Sequence, residues 1–132
     1  MTQTMTNTDV VRRGYQAFNE ADGATLTRLF DERASWDTPG QGITSGVARG
    51  RDAVFARFAL YGEETAGTLK AELQAVFEAE DGRVVGLHHS SGVRNGKRLD
   101  TDACLVFELE DGRIVAAREY IYDLKSSDEF WS

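Results

Sequence analysis

The sequence contains a single cysteine, Cys104, among its 132 residues. One cysteine cannot form a disulfide within the chain, and no grouping of cysteine and histidine has the spacing of a zinc site. We therefore expect neither a disulfide framework nor a bound metal. No motif requires a cofactor, so we expect none.

The chain also lacks a long apolar run and an excess of basic residues. Residues 1–9 have no apolar core of a secretory signal, and no stretch reaches the length of a membrane span. The 22 acidic residues outnumber the 15 basic ones, for a net charge of −7, which argues against nucleic acid or an anionic membrane as partner. These absences predict a soluble, cytoplasmic protein.

A glycine-rich loop is predicted at 40–50, directly after a short strand that Pro39 ends. The loop has neither the Lys-Ser/Thr pair of a phosphate loop nor the strand–GxGxxG–helix context of a dinucleotide site. Its glycines therefore give no reason to predict a nucleotide.

Apolar residues at helical spacing fill the first half of the chain. Val11, Tyr15 and Phe18 predict a helix that Asn7 or Thr8 caps, after a flexible segment 1–7. This helix is expected to end near 22–23, with further helices over 24–30 and 51–61.

From Leu69 onward the period changes to two, and Asp-Gly or Asn-Gly pairs at 81–82, 95–96 and 111–112 predict tight hairpins with primed turns. The last residues can add a helical turn that places Phe130 and Trp131 on an edge. Helices followed by a meander indicate an α+β class and one domain over 1–132. The predicted strands cover 69–79, 83–93, 98–109 and 113–123.

Four segments carry a family resemblance: VVRRGYQAFNEAD, LTRLFDERASWDTPG, GRDAVFARF and EDGRIVAAREYIYDLKSSDEFW. They resemble the SnoaL-like branch of the nuclear-transport-factor-2-like superfamily, which contains ketosteroid isomerases and polyketide cyclases. The resemblance implies a cone-shaped, barrel-like fold in which three N-terminal helices pack on a curved, mostly antiparallel sheet. It also implies a pocket for a small hydrophobic molecule and a homodimer.

The family's catalytic positions can be placed on this sequence one at a time. The oxyanion-binding tyrosine and aspartic acid of ketosteroid isomerases fall at Gly14 and Leu105, and the isomerase base falls at Thr38. Asp37, next to that base position, is expected to point to the other face. The classical isomerase set is therefore expected to be absent, unless a bulge near Asp37 turns its side chain inward. The acid/base carboxylate of the polyketide cyclases matches Glu119, whereas their histidine again falls at Leu105.

Strand alternation independently assigns Glu119 to the pocket face. Val115, Ala117, Glu119 and Ile121 form one set, opposite Ile114, Ala116, Arg118, Tyr120 and Tyr122. The first set is smaller and suits a pocket wall, whereas the aromatics of the second suit a dimer interface. Burial raises the pKa of a carboxylic acid, so an inward Glu119 could exchange protons near neutral pH. The alternative is that Glu119 pairs with an arginine and has no further role.

Two adjacent histidines, His88 and His89, lie on the second long strand. Neighbouring strand residues face opposite sides, so the pair cannot bind one metal and only one can enter the pocket. Val85 and Leu87 share a face with His89, which favours His89 as the inward partner of Glu119. The alternative is a histidine hydrogen-bonded at an interface or at the pocket rim.

Aromatic and apolar side chains can line the predicted pocket or simply fill the core. Asp100 and Asp102 alternate with the apolar set of their strand and are expected to face outward. The candidate substrate-binding residues are Tyr15, Phe18, Trp36, Phe55, Phe58, Leu105 and Phe107.

Two functional classes remain open from the sequence. One is a cofactor-independent isomerase or cyclase that acts on a small hydrophobic carbonyl compound with Glu119 and His89 as catalytic residues. The other is a non-catalytic ligand-binding or dimerisation domain of the same fold. An epoxide hydrolase is less well supported, because it needs an Asp–Arg–Asp set and Arg118 lies on the wrong face.

Overall fold

A computed structural model describes residues 5–132. Within them the chain forms four helices and six strands. The helices are α1 (Asn7–Glu20), α2 (Gly23–Leu29), α3 (Arg51–Thr65) and α4 (Leu124–Phe130). The strands are β1 (Phe30–Thr38), β2 (Gly46–Arg49), β3 (Lys70–Glu78), β4 (Val84–Arg94), β5 (Lys97–Glu110) and β6 (Arg113–Ile121).

The strands form one curved, open sheet in the order β2-β1-β6-β5-β4-β3. All neighbouring strands are antiparallel except β1 and β6, which are parallel. Helices α1 and α3 pack on one face, which we call the inner face, and the opposite side is the outer face. The predicted α+β class and mostly antiparallel sheet are thus confirmed.

The cap of the first helix is Thr6, one residue before Asn7 and two before Thr8, the two predicted caps. The Thr6 side chain accepts a hydrogen bond from the Asp9 N–H, and the Asp9 carboxylate accepts one from the Thr6 N–H. This reciprocal capping box satisfies two N–H groups that helical hydrogen bonds leave free. The predicted flexible segment 1–7 is therefore wrong at Thr6 and Asn7, and residues 1–4 lie outside the described residues.

Two of the three predicted primed turns are present. Asn95–Gly96 and Asp111–Gly112 have positive φ at both residues, as type I′ turns require. At the first hairpin only Gly82 has positive φ, and the Ala79 N–H bonds to the Arg83 carbonyl across a longer loop. The prediction of a primed turn there is wrong, because Asp81 does not adopt the left-handed conformation.

The glycine-rich segment is also more ordered than predicted. Its last residues form β2, which pairs with β1 so that Trp36 lies opposite Ala48. The backbone of the preceding part is held by α4, since the Ile43 N–H donates to the Trp131 carbonyl. Phe130 and Trp131 do not lie on an edge as predicted. They are buried, with only 1% and 6% of each residue exposed.

Alternation holds along β5 but is interrupted in β6. Glu108 pairs with Ala116 whereas the next residue, Leu109, pairs with Ile114, so Val115 is an extra residue on its strand. Because of this bulge Ile114 is buried on the inner face, and the prediction that it faces outward is wrong. After the bulge, Ala117 and Glu119 return to the inner face.

No helix among the described residues is long and apolar enough to cross a membrane.

Candidate functional site

A cavity of about 80 Å³ lies between the helices and the inner face of the sheet. That is several times the roughly 10–15 Å³ that one water molecule needs, so the cavity has room for more than a single water molecule. Its walls come from α1, α3 and every strand from β3 to β6, with β1 at one end. The lining surface is mostly apolar, but polar side chains border it at several points. They are Tyr15, Thr38, Thr44, Tyr61, Lys70, His88, Ser90, Thr101, Glu119 and Ser127.

Six of the seven predicted substrate-binding residues line this cavity. They are Tyr15, Phe18, Trp36, Phe58, Leu105 and Phe107. The seventh, Phe55, does not: its ring packs against Phe30 and Phe58 at 5.8 and 6.0 Å between centroids. Phe55 is one residue away from the cavity-facing stripe of α3, so it supports the wall from behind.

Glu119 borders the cavity from the middle of β6, with 15% of its side chain exposed. Burial raises its pKa to about 7, and the positive charge of Arg57 offsets part of that rise. Arg57 acts through its charge, because its Nη1 donates instead to Thr38 Oγ1 at 3.1 Å. Glu119 therefore changes protonation near neutral pH, unlike a carboxylate held in an arginine ion pair.

The inward histidine is His88, and the prediction of His89 is wrong. His88 is 2% exposed and lines the cavity. It shares the inner face with Val84 and Gly86, whereas Leu87 and His89 lie on the outer face. The sequence pattern favoured the wrong histidine because the inner set of this strand has a glycine, Gly86, between Val84 and His88. A glycine has no side chain that would mark this set as apolar.

His88 is held between Tyr15 and Glu119. The Tyr15 hydroxyl lies 2.7 Å from His88 Nδ1, and His88 Nε2 lies 3.8 Å from Glu119 Oε2. Burial lowers the pKa of His88 to about 4 and raises that of Tyr15, so both are neutral at pH 7. The three side chains form a line of proton-carrying groups along the cavity wall.

Gly86 makes room for this arrangement. A Cβ atom on Gly86 would lie 2.7 Å from the Tyr15 hydroxyl and 2.7 Å from its ring, closer than real Cβ contacts. Tyr15 is 5% exposed, and its ring centroid lies 6.1 Å from that of Phe107, so the Tyr15 ring has little space to move. Gly86, which obscures the alternation of apolar residues along β4, thus leaves the space that the Tyr15 ring occupies.

A second polar group lies at the β1 end of the cavity, and the sequence analysis missed its central member, Tyr61. The Tyr61 hydroxyl is 3.4 Å from Thr38 Oγ1. Burial raises its pKa to about 12, although Thr38, Trp36 and the charge of Arg57 act in the opposite direction. The helical spacing of Val54, Phe58 and Tyr61 within the predicted helix 51–61 could have placed it inward.

The charged residues of the outer face are paired there. Arg118 Nε lies 3.3 Å from Asp37, and His89 bonds to both Asp100 and Asp102. Asp37, Arg118, Asp100 and Asp102 face outward as alternation predicted, whereas His89 was predicted to face inward. Since Arg118 and Asp37 lie outside the cavity, the described residues do not place an Asp–Arg–Asp set in it. The same residues, 5–132, hold no cluster of three potential metal ligands.

The family follows from a match that spans most of the chain. A SnoaL-like domain matches residues 11–117. The chain belongs to the SnoaL-like domain family. The matched span ends two residues before Glu119.

Known relatives extend this assignment to nearly the full length. The uncharacterized protein Rv0034 of Mycobacterium tuberculosis is 32% identical over 124 residues, which is 94% of this chain and 95% of that protein. Bal32a, from a soil-derived mobile gene cassette, is 53% identical, with a TM-score of 0.93 and 96% of each chain covered. IdmH of Streptomyces antibioticus, a proposed polyketide cyclase, has a TM-score of 0.77 at 19% identity, covering 93% of this chain and 96% of that one.

The SnoaL-like fold places the three vacant isomerase positions around the same cavity. Gly14, Thr38 and Leu105 all line it, and none of them carries a group that titrates near neutral pH. Proton transfer in this cavity would therefore need other residues, among which His88 and Glu119 are 3.8 Å apart and have pKa values of about 4 and about 7.

Proposed function

We propose that the protein is a cofactor-independent isomerase or cyclase that moves a proton on a small, mostly apolar carbonyl compound, with Glu119 as the acid/base. The observation that carries the proposal is the Glu119 carboxyl, which borders an apolar cavity with a pKa of about 7. A base of this pKa is near the optimum for proton transfer at neutral pH. IdmH is proposed to perform related chemistry, although at 19% identity the likeness concerns the fold alone.

The proposed reaction begins with ionised Glu119, which takes a proton from the carbon next to the carbonyl. The electron pair of the broken C–H bond moves onto the carbonyl oxygen and forms an enolate. Protonated Glu119 then returns the proton to another carbon, which completes an isomerisation. In a cyclisation the enolate carbon instead attacks a second carbonyl of the same molecule, and the proton passes to the new alkoxide.

His88 acts in this proposal as the neutral neighbour that orients Glu119. Tyr15 stays protonated, and its hydroxyl is closer to His88 Nδ1, at 2.7 Å, than to the Gly86 carbonyl, at 3.4 Å. A hydroxyl that donates to Nδ1 leaves the ring proton on Nε2, directed at Glu119. The 3.8 Å separation from Glu119 exceeds a hydrogen bond, and such contacts often shorten when substrate binds.

The test is deuterium exchange on carbons next to the carbonyl of cyclohexanone and 2-cyclohexen-1-one in D2O, followed by NMR. We expect Glu119→Gln to lower the enzyme-dependent rate roughly 100-fold or more, since general acid–base catalysis contributes about that much. Glu108→Gln removes an exposed carboxylate from the outer face of the adjacent strand and should leave the rate unchanged. A wild-type rate no higher than that of Glu119→Gln contradicts the proposal.

The second candidate function, non-catalytic ligand binding, is favoured by the cavity's small size and by the vacant isomerase positions. It predicts that the wild-type protein binds these ketones without exchanging their protons. The same NMR samples therefore separate the two functions.

The homodimer and the cytoplasmic location stay predictions. A dimer has a suitable surface on the outer face, where Leu87, Cys104 and Tyr120 lie side by side on three strands. Leu87 and Tyr120 are 39% and 51% exposed. The molar mass in solution tests this expectation.

A further inference from the structure

Two hydrogen-bond donors meet at the β1 end of the cavity, away from Tyr15 and His88. Trp36 comes from β1 and Tyr61 from α3, and both line the cavity with only 7% of each residue exposed. The Trp36 indole N–H is buried and is near enough to the Tyr61 oxygen to lower the pKa of Tyr61, but it has no well-formed hydrogen bond to any residue of 5–132. Buried donors are nearly always paired, because leaving one unpaired is costly, so this N–H needs a physical explanation.

The hydrogen bonds around Thr38 leave the Tyr61 proton available as well. Arg57 can only donate, so Thr38 Oγ1 must accept at 3.1 Å. The Thr38 hydroxyl proton is then free to point at the Tyr61 oxygen, 3.4 Å away. In this arrangement Tyr61 accepts from Thr38 and its own proton can be donated to another group in the cavity.

Three groups near the Tyr61 oxygen favour negative charge there, although burial and the charge of Glu119 together outweigh them. Thr38, Trp36 and the positive charge of Arg57 each lower the pKa of Tyr61 against the larger effect of burial. Three independent groups thus act at one point of an otherwise apolar cavity. The negative charge of Glu119 acts in the other direction and raises the pKa of Tyr61, and Glu119 lines the same cavity.

We propose that Trp36 Nε1–H and the Tyr61 hydroxyl form a donor pair that binds the carbonyl oxygen of the substrate and stabilises it as an enolate. Fixed donors aimed at a developing oxyanion are the most effective way to stabilise it in a site that excludes water. The substrate class is accordingly a small ketone or enone whose only strong acceptor is one carbonyl, with apolar carbons that contact Phe18, Phe58 and Leu105.

The donor pair rests on the proposed function for its role in catalysis, but carbonyl binding by the pair can be tested without catalysis. The pair takes the electron density that moves onto oxygen, while Glu119 takes the proton from carbon. It also replaces the tyrosine and aspartic acid positions that are vacant at Gly14 and Leu105. The residues that recognise the carbonyl oxygen therefore come from β1 and α3, whereas the vacant positions lie on α1 and β5.

The binding test compares cyclohexanone with methylenecyclohexane, in which a CH2 group replaces the oxygen. We expect the wild-type protein to bind the ketone more tightly in an NMR titration. Tyr61→Phe and Trp36→Phe should each reduce this preference roughly 3- to 10-fold, the effect of losing one net hydrogen bond. Tyr122→Phe, which removes an 89% exposed hydroxyl, is the matched control and should keep the full preference.

The NMR resonance of the Trp36 indole N–H gives a second, direct measurement of the proposed hydrogen bond. The chain has two tryptophans, and the spectrum of Trp36→Phe identifies the Trp36 indole N–H resonance. Cyclohexanone should move this resonance downfield, because the N–H gains an acceptor, whereas methylenecyclohexane should not. Tyr61→Phe changes one hydroxyl without changing the ring, so it carries the test even if Trp36→Phe folds poorly.

The outcomes separate the donor pair from the proposed function. Equal binding of the two compounds, no binding of the ketone, or an unchanged preference in Tyr61→Phe overturns the donor pair, even if exchange at carbon still depends on Glu119. A ketone preference that both variants weaken, in a wild-type protein without exchange, supports the pair and rejects the catalytic function. Glu119→Gln should keep the preference, since it leaves both donors in place.

Discussion

The two faces of β4 shift the pKa values of two adjacent histidines in opposite directions. His88, on the inner face, has a pKa lowered to about 4, because burial disfavours its charged form. His89, on the outer face, has its pKa raised by hydrogen bonds to Asp102 and Asp100. One peptide bond separates a histidine whose pKa is lowered from one whose pKa is raised. The inner face therefore excludes charge from the cavity, and the outer face pairs its charges at the surface.

Glu119 and His88 give the largest expected effect, because both are kept neutral on the inner face. Between about pH 4.5 and 7 the folded protein keeps a proton on Glu119 that the unfolded chain loses, so the free energy of unfolding falls as pH rises. His88 acts in reverse: as pH falls from 6.5 towards 4, only the unfolded chain takes up its proton, so stability falls as pH falls. Over the shared range the two contributions oppose each other.

Single variants should reveal each contribution. Relative to wild type, Glu119→Gln should become more stable as pH rises from 4.5 to 7, and His88→Gln should become less stable over this range. Each difference should be on the order of 3 kcal/mol. Urea unfolding at a series of pH values measures it. Parallel pH profiles for wild type and both variants contradict the neutral inner face.

Gly86→Ala should have the next largest effect, since its Cβ would overlap Tyr15. We expect a loss of about 1–3 kcal/mol in the free energy of unfolding, as for overpacked cores. Gly62→Ala is the control: it lies within α3 with nothing within 4 Å of the new methyl group. That change should stabilise the helix by about 0.5–1 kcal/mol. If both substitutions have the same effect on urea unfolding, Tyr15 is not tightly held against the strand.

The outer face gives the smallest effect on stability, because its ion pairs are exposed to water. In a histidine NMR titration the His89 pKa should lie above its ordinary value and the His88 pKa below it. Asp100→Asn should lower the His89 pKa and leave the unfolding midpoint nearly unchanged. A pKa of His88 above that of His89 would contradict the proposed difference between the two faces of β4.

Much of the fold could be predicted because its signals are local. The change of period at Leu69 separates helices from the meander, and Asn95–Gly96 and Asp111–Gly112 form the turns that their side chains favour. Regular alternation along β5 correctly places Leu105 and Phe107 inward. The bulge at Val115 has no such signal, since it depends on how β6 pairs with β5.

The candidate site was predictable only in part. Glu119 was placed inward because the bulge precedes it and alternation holds after Ala117. His88 was missed because Gly86 has no side chain to mark the inner face, and Phe55 was wrongly included because helical spacing does not distinguish a cavity wall from the layer behind it. Tyr61 was missed although it lies at the end of the predicted helix 51–61, because only Val54, Phe55 and Phe58 were used to define the apolar side of that helix.

The sequence alone determined the class of the fold, the strand that carries the carboxylate and the side to which that carboxylate points. These features depend on periodicity and turn preference, which act over a few residues. Only the tertiary structure decided which histidine meets Glu119 and which donors share its cavity. Tyr15 and His88 are 73 positions apart, and Thr38 and Tyr61 are 23 apart. Contacts between such distant residues arise from packing of helices on the sheet, and no local pattern encodes them.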